Sequence, residues 1–224
     1  MKIIQSRLKE NAFLEEFEVQ AGNGYSEQEN CVVNVFDDVE YQKIMGFGAA
    51  ITESAAYNYS LLSDEQKQEF LEKYYGSENG LNYNIGRLHI NSCDFSLDIY
   101  DYVQPGDNTL KTFNIDRDRK YIIPMVKDIQ KYCNHDLFFF ASPWTPPAYM
   151  KDNESPIKGG KLKEEYKKLW AQYFAKYIKE YRKEGINISA VTVQNEPKAI
   201  QTWESCFYSP EDEKDLLKSI LPDL

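Results

Sequence analysis

The sequence lacks the cysteine and histidine spacings that mark metal and redox sites. Its two histidines, His89 and His135, stand alone, and a lone histidine is more often structural than a metal ligand. Its four cysteines are far apart and form no CxxC pair: Cys31, Cys93, Cys133 and Cys206. We therefore expect no metal site, and we expect free thiols in a reducing compartment.

Long apolar segments and an excess of basic residues are also missing. The longest wholly apolar stretch, residues 137–141, is far too short to cross a bilayer. Near the N-terminus only Ile3 and Ile4 are consecutive apolar residues before polar and charged residues return, which is not the pattern of a signal peptide. We expect a cytoplasmic protein, unless a leader has been removed. The formal net charge of −10 argues against nucleic acid and anionic membranes as partners.

What the chain does have is a regular alternation of predicted strands and helices. Strands are predicted at residues 44–51, 83–90, 136–142 and 188–196. Helices are predicted from a capping box at Ser63 to Gly76, at 124–133, along an apolar stripe at 162–181, and from Ser209 onward. Four such βα units predict an α/β fold with a parallel sheet, either part of a (β/α)8 barrel or an open four-unit sheet.

The first part of the chain does not follow this alternation. Residues 32–36 alternate weakly between apolar and polar and predict a strand outside the barrel, in a side β-domain. The expected domain division is therefore residues 1–43 and residues 44–224.

The most informative motif is Asn195-Glu196-Pro197, at the end of the last predicted strand. In a (β/α)8 barrel, functional residues lie at the carboxyl ends of the strands. A carboxyl group at such a tip, beside a neutral amide, is suited to protonate a leaving group. Glu196 is the candidate general acid. The alternative is an ordinary surface glutamate that happens to follow a strand.

Arg87 and Asp94 form a second candidate pair. Arg87 lies among apolar neighbours in the second predicted strand, and a buried arginine needs an anionic partner. Asp94 follows that strand and is a candidate for hydrogen bonds to sugar hydroxyls. A purely structural Arg87–Asp94 ion pair explains the same residues equally well.

Two further strand ends contain candidate binding residues. Trp144 stands on a loop with three prolines after the third strand, where a fixed indole could stack on a pyranose or simply pack beneath the loop. Thr52 and Glu53 follow the first strand and could face the same pocket. The glycines before them favour tight packing at the barrel mouth over ligand contact.

Together these segments resemble glycoside hydrolase family 30, and within it the glucosylceramidase-like members. The resembling stretches are residues 46–53, 83–96, 141–150 and 190–197. The resemblance implies a (β/α)8 barrel with a β-sandwich side domain, a retaining mechanism, no cofactor, and β-linked glucosides or related sugars as substrates. It implies that Glu196 is the acid/base. The implied sugar-binding residues are Arg87, Asp94, Trp144 and Asn195. Glu53 stands where relatives commonly carry Asp.

The chain also departs from the family pattern. No residue matches the family nucleophile, which lies at the tip of the seventh strand. We therefore expect a chain truncated before the nucleophile, inactive alone, and able to self-associate through exposed sheet edges. The alternative is a non-catalytic sugar-binding or remnant protein.

Overall fold

A computed structural model describes residues 2–18, 36–220 and 222. The chain divides into two compact units, Met1–Ile44 and Met45–Leu224. The strand predicted at residues 32–36 lies, apart from Phe36, outside the described residues.

The first unit contains a two-stranded antiparallel hairpin. Strand β1 (Lys2–Arg7) pairs with β2 (Ala12–Glu18), and a short 3-10 turn (Leu8–Glu10) connects them. Asn11 follows this turn in the left-handed conformation, with φ of 52°, which asparagine tolerates better than most residues. The assignment of residues 1–43 to a β-sandwich stays a prediction.

The second unit is built on a parallel sheet of four strands. These are β3 (Gly48–Ala50), β4 (Ile85–Ile90), β5 (Phe138–Pro143) and β6 (Ile188–Val191), in that order across the sheet. Each neighbouring pair is parallel. The predicted α/β alternation is confirmed, and the arrangement is that of part of a (β/α)8 barrel.

Within the described part of the second unit, six helices accompany the four strands. They are α1 (Glu53–Ser60), α2 (Asp64–Tyr75), α3 (Asp116–Lys120), α4 (Ile122–Tyr132), α5 (Lys167–Lys183) and α6 (Pro210–Ile220). The capping box at Ser63 is confirmed, since the hydroxyl accepts from Gln66 N while the Gln66 side chain accepts from Ser63 N. Helices α1 and α3 were not predicted, because both are short and lie in irregular sequence.

The outer strands are shorter than predicted. Strand β3 begins at Gly48, because Asn84 N and Ile85 N both donate to the carbonyl of Phe47, which fixes that segment at the start of β4. Gly48 itself lies so close to β4 that an added Cβ would be 1.7 Å from the Ile85 carbonyl oxygen. Strand β6 ends at Val191, and the segment beyond it continues beside β5 through single hydrogen bonds rather than a regular ladder.

Helix α5 begins later than predicted. Lys163 is extended and donates to the carbonyl of Met150, which holds the preceding segment away from the helix. A 3-10 turn (Glu164–Tyr166) then leads into α5. Its predicted apolar stripe is confirmed, since these residues are completely buried: Trp170, Tyr173, Phe174, Tyr177 and Tyr181.

Candidate active site

Arg87 organises the carboxyl end of the sheet. Its backbone pairs with Phe140 of β5, which places Ser142 two residues further along on the same face. The guanidinium donates from Nε to Ser142 Oγ at 3.1 Å and from Nη2 to Asn195 Oδ1 at 2.8 Å. One side chain on β4 therefore joins β5 to the segment that follows β6.

The bond from Arg87 also orients the Asn195 amide. Arginine has only donors, so its partner atom on Asn195 is the oxygen. The amide nitrogen then remains available as a donor. The backbone N–H of Asn195 donates to Pro143 O at 2.8 Å, which holds the main chain as well.

Trp144 packs against the same guanidinium. The Arg87 Cζ lies 4.7 Å from the centre of the indole ring, within the range of a cation–π contact. The side chain is only 7% exposed. The guanidinium covers one face of the indole, so a pyranose cannot stack on that face.

Glu196 is exposed, unlike Asn195 before it, and its backbone conformation is unusual. Its φ is 46°, in the left-handed region that non-glycine residues rarely adopt. Such strain is common at functional sites. Within the described part of the chain, its carboxylate makes no hydrogen bond or ion pair. The carboxyl group is therefore available to a ligand.

Asp94 does not form the structural ion pair considered from the sequence. It is exposed, and among the described residues no ion pair links it to Arg87. Burial lowers the pKa of Arg87, while the nearby acidic groups Cys93, Glu196 and Asp94 act in the opposite direction. The carboxylates of Glu196 and Asp94 are thus close enough to act electrostatically on the Arg87 guanidinium. The hydrogen bonds of Arg87 are nevertheless made to Ser142 and Asn195.

Thr52 and Glu53 do not face the site, and the suggestion that they could is wrong. The Thr52 hydroxyl caps α1 by accepting from Ala55 N at 3.3 Å. The Glu53 side chain is buried and bound by Arg117, with a distance of 2.5 Å from Nε to Oε1. The physical reason is that helix α1 begins at Glu53. The Thr52 side chain therefore turns toward the backbone of the first helical turn, and the Glu53 side chain turns toward the loop after β4.

The loops after β5 and β6 are held together by a buried lysine. Lys151 is inaccessible to solvent, and its Nζ donates to Ser155 O at 2.6 Å and to Ser205 O at 2.7 Å. Burial lowers the pKa of its ammonium to about 8. The Gly159 N–H donates to Ser205 Oγ at 2.9 Å. These hydrogen bonds connect the loop that contains Trp144 to the loop that contains Glu196.

Three residues that support the site were not identified from the sequence: Ser142, Thr192 and Gln194. The Thr192 hydroxyl donates to Ser142 Oγ at 2.7 Å, and Gln194 Nε2 donates to Trp144 O at 2.6 Å. The available signal was the presence of polar side chains in otherwise apolar strand segments.

The described residues contain no group of three or more His, Cys, Asp or Glu side chains arranged for a metal ion. Three described cysteines are free thiols: Cys93, Cys133 and Cys206. Burial raises the pKa of Cys93 and of Cys206 to about 11, so these thiols are weak nucleophiles at neutral pH. No helix in the described ranges is long and apolar enough to span a membrane.

Residues 44–223 match the glycosyl hydrolase family 30 TIM-barrel domain. The chain belongs to this family. The resemblance drawn from the four strand-end segments is thereby confirmed. The match begins close to the start of the second unit and includes every strand of the parallel sheet.

The chain is also similar to several individual proteins. The chain is 35% identical to lysosomal acid glucosylceramidase of Mus musculus, over 80% of this chain and 36% of that protein. It is 31% identical to an endo-1,6-β-D-glucanase of Trichoderma harzianum, over 75% of this chain and 37% of that protein. The crystal structure of SrfJ from Salmonella typhimurium superimposes with a TM-score of 0.83 at 36% identity, covering 99% of this chain and 49% of that one.

The sequence thus spans little more than a third of the length of these two curated relatives. The names of these relatives include both a glucosylceramidase and an endo-1,6-β-D-glucanase.

Proposed function

We propose that this chain forms the sugar-binding and acid/base part of a retaining β-glycoside hydrolase of the glucosylceramidase or β-glucosidase type. The observation that supports it most is the arrangement at the end of β6. The Glu196 carboxyl group has no partner among the described residues, and the adjacent Asn195 is oriented by Arg87. Protonation of a glycosidic oxygen requires a carboxylic acid within reach, and a fixed amide beside it can donate to a sugar hydroxyl.

Each site residue has a distinct role in this proposal. Glu196 protonates the leaving oxygen and later deprotonates water. The Asn195 amide nitrogen donates to the 2-hydroxyl, a contact that strengthens toward the oxocarbenium-like transition state. Asp94 accepts from sugar hydroxyls, and the Trp144 Nε1–H donates to one. Arg87 acts as a positioning residue that holds Asn195 and Trp144.

Retention requires a second carboxylate about 5–5.5 Å from the first. Asp94 follows β4, which is two strands from β6, and strand tips two places apart are about 10 Å apart. Glu53 is occupied by Arg117. We therefore propose that the nucleophile comes from a strand tip outside these four, and that the chain alone does not turn over glycosides.

For substrates, we propose β-linked glucosides, including lipid glucosides of the sphingolipid type. Support comes from the glucosylceramidase names among the relatives. Proton donation and attack by a carboxylate complete this reaction without a cofactor.

The test is a leaving-group experiment on a polypeptide that combines these residues with a complete family barrel. Glu196→Ala should abolish hydrolysis of alkyl β-glucosides, which need a proton donor, and should spare formation of the glycosyl-enzyme from aryl glucosides with acidic phenols. Azide should then release the trapped sugar faster. Glu211→Ala, at an exposed position in α6, is the matched control. Equal loss on both substrate types without azide rescue would contradict the role of Glu196.

A sugar-binding function without turnover is the second candidate. It is favoured by the rigid Arg87–Asn195–Trp144 arrangement, which needs no further strand to form. An assay of this chain with a chromogenic aryl β-glucoside, alongside a binding titration, distinguishes bound from hydrolysed sugar.

A further inference from the structure

The imidazole of His89 joins two loops at the carboxyl end of the sheet. The side chain is 1% exposed and lies near the end of β4. Its Nε2 is 3.1 Å from the backbone nitrogen of Glu53, and its Nδ1 is 2.6 Å from the carbonyl oxygen of Asn91. Both ring nitrogens are therefore engaged with main-chain atoms.

These partners determine where the ring proton lies. A carbonyl oxygen can only accept, so Nδ1 must carry the hydrogen. A backbone N–H can only donate, so Nε2 must be the bare nitrogen. The structure thus requires neutral His89 with its proton on Nδ1, because any proton on Nε2 would point at the Glu53 N–H.

Through Glu53, the histidine is connected to the loop that contains Asp94. Glu53 is the first residue of α1, where backbone N–H groups have no partner within the helix. His89 supplies that missing acceptor. The Glu53 carboxylate in turn accepts from Leu97 N at 2.8 Å, and the neighbouring Ser54 N donates to Phe95 O at 2.9 Å. These two bonds hold the loop directly after Asp94.

Through Asn91, the histidine is connected to the loop that contains Trp144. Asn91 is fully buried and has a φ of 62°, a left-handed conformation that needs support from its surroundings. Its carbonyl oxygen is the atom bound by His89. Its side-chain nitrogen donates to Thr145 O at 3.3 Å, and its side-chain oxygen accepts from Tyr102 N at 3.2 Å. Thr145 directly follows Trp144.

We propose that His89 is a positioning residue whose Nδ1–H tautomer holds the Asp94 loop and the Trp144 loop in the geometry that binds sugar. The ring itself does not touch the ligand. The statement about sugar rests on the proposed function, whereas the statement about the two loops does not.

The experiment uses the whole chain and three substitutions of His89 that test the roles of its two ring nitrogens separately. His89→Asn keeps a donor near the Nδ1 position, His89→Gln keeps an acceptor near the Nε2 position, and His89→Phe removes both. His135→Phe is the matched control, because His135 lies before β5 and contacts only the Tyr83 carbonyl among the described residues.

Three measurements are made on each protein. Nitrogen-15 spectra of the imidazoles give the tautomer of wild-type His89, and assignment is simple because the sequence has two histidines. Hydrogen exchange at Leu97 N and Ser54 N reports the Asp94 loop. Titration with methyl β-D-glucoside reports sugar binding.

In wild type we expect the Nδ1–H tautomer. In His89→Phe we expect hydrogen exchange at Leu97 N and Ser54 N to be at least about 10-fold faster than in wild type, because the loss of a buried hydrogen bond has roughly that effect on local opening. His89→Gln should restore slow exchange at Leu97, because it keeps the acceptor for Glu53. The affinity for methyl β-D-glucoside should fall in the same order as the exchange rates rise.

An Nε2–H tautomer, or exchange in His89→Phe and His89→Gln equal to that in His135→Phe, would overturn the proposal. If His89→Phe does not fold, the wild-type tautomer and the Gln and Asn variants still decide it. If exchange responds as expected but wild type does not bind the glucoside, His89 positions the loops and the proposed sugar site is the part that fails.

Discussion

Arg87 Nη2 donates to Asn195 Oδ1 at 2.8 Å, and this bond makes the orientation of one site residue depend on another two strands away. The same guanidinium donates to Ser142 and lies over Trp144. The surface proposed to face the sugar is therefore organised by the Arg87 guanidinium, which we do not expect to contact the sugar itself.

Arg87→Lys should disrupt the site although it keeps the charge. A lysine ammonium has no planar fork and cannot serve Ser142 and Asn195 in the same geometry. We expect the affinity of the chain for methyl β-D-glucoside to fall by about 10-fold, the effect of losing one charged hydrogen bond. Arg182→Lys, at an exposed position near the end of α5, should leave affinity unchanged. Equal affinity in wild type and Arg87→Lys would show that this arrangement does not shape the site.

Trp144→Phe tests which part of the indole meets the sugar. Phenylalanine keeps an aromatic ring against Arg87 but removes the Nε1–H donor. Because Trp144 is only 7% exposed and one face is covered by Arg87, we expect its contribution to be one hydrogen bond. The variant should show a several-fold loss of affinity for the glucoside with a small change in melting temperature, as for one neutral hydrogen bond. Trp203→Phe, on a more exposed indole, is the control. If affinity does not change, Trp144 belongs to the core alone.

Lys151 should produce a measurable pH dependence of stability. Its folded-state pKa of about 8 lies below the unfolded value of about 10.4. Between these values the unfolded chain holds a proton that the folded chain has lost, so the free energy of unfolding contributed by Lys151 rises with pH. Relative to Lys151→Met, wild type should gain about 2 kcal/mol between pH 7 and pH 10. The measurement is chemical unfolding at each pH, with Lys168→Met as an exposed control. A pH-independent difference would mean that this ammonium is not perturbed.

Self-association follows from the two outer strands of the sheet. Among the described residues, β3 pairs only with β4 and β6 only with β5, and Ala49 and Ala190 on these strands are exposed. Unpaired strand edges favour pairing with another chain. We expect sedimentation to show species heavier than 26.2 kDa, and no hydrolysis of aryl β-glucosides. Lysine at Ala49 and Ala190 should shift the protein toward monomer, whereas Ser60→Lys on α1 should not. A monodisperse, active monomer would contradict both expectations.

The parts of the fold that were predictable depend on local signals. The capping box at Ser63 and the buried stripe of α5 each follow from residues a few positions apart, and both are present in the structure. The end of β6 was not predictable in this way. The sequence from Thr192 onward favours a strand, but the ladder between β5 and β6 ends at Val191 after a register shift between Phe139 and Phe140.

In the candidate site, too, some features could be predicted from the sequence and others could not. Glu196, Asn195 and Arg87 could be chosen from the sequence because strand tips converge in a parallel sheet. Their partners could not, since the contact of Arg87 with Ser142 depends on the β4–β5 register and that of His89 with Glu53 depends on where α1 begins. Whether Glu196 is the acid/base stays a prediction.

The most direct test of the sugar site is a double-mutant cycle between Asn195 and the ligand 2-hydroxyl. The chain and its Asn195→Ala variant are titrated with an imidazole-fused glucose analogue that is flattened at the anomeric carbon, and with its 2-deoxy form. We predict that wild type prefers the hydroxylated ligand by about 10-fold, the effect of one hydrogen bond in a preorganised site, and that Asn195→Ala removes this preference. A variant that weakens both ligands equally, or a wild type that does not discriminate between them, would contradict the account.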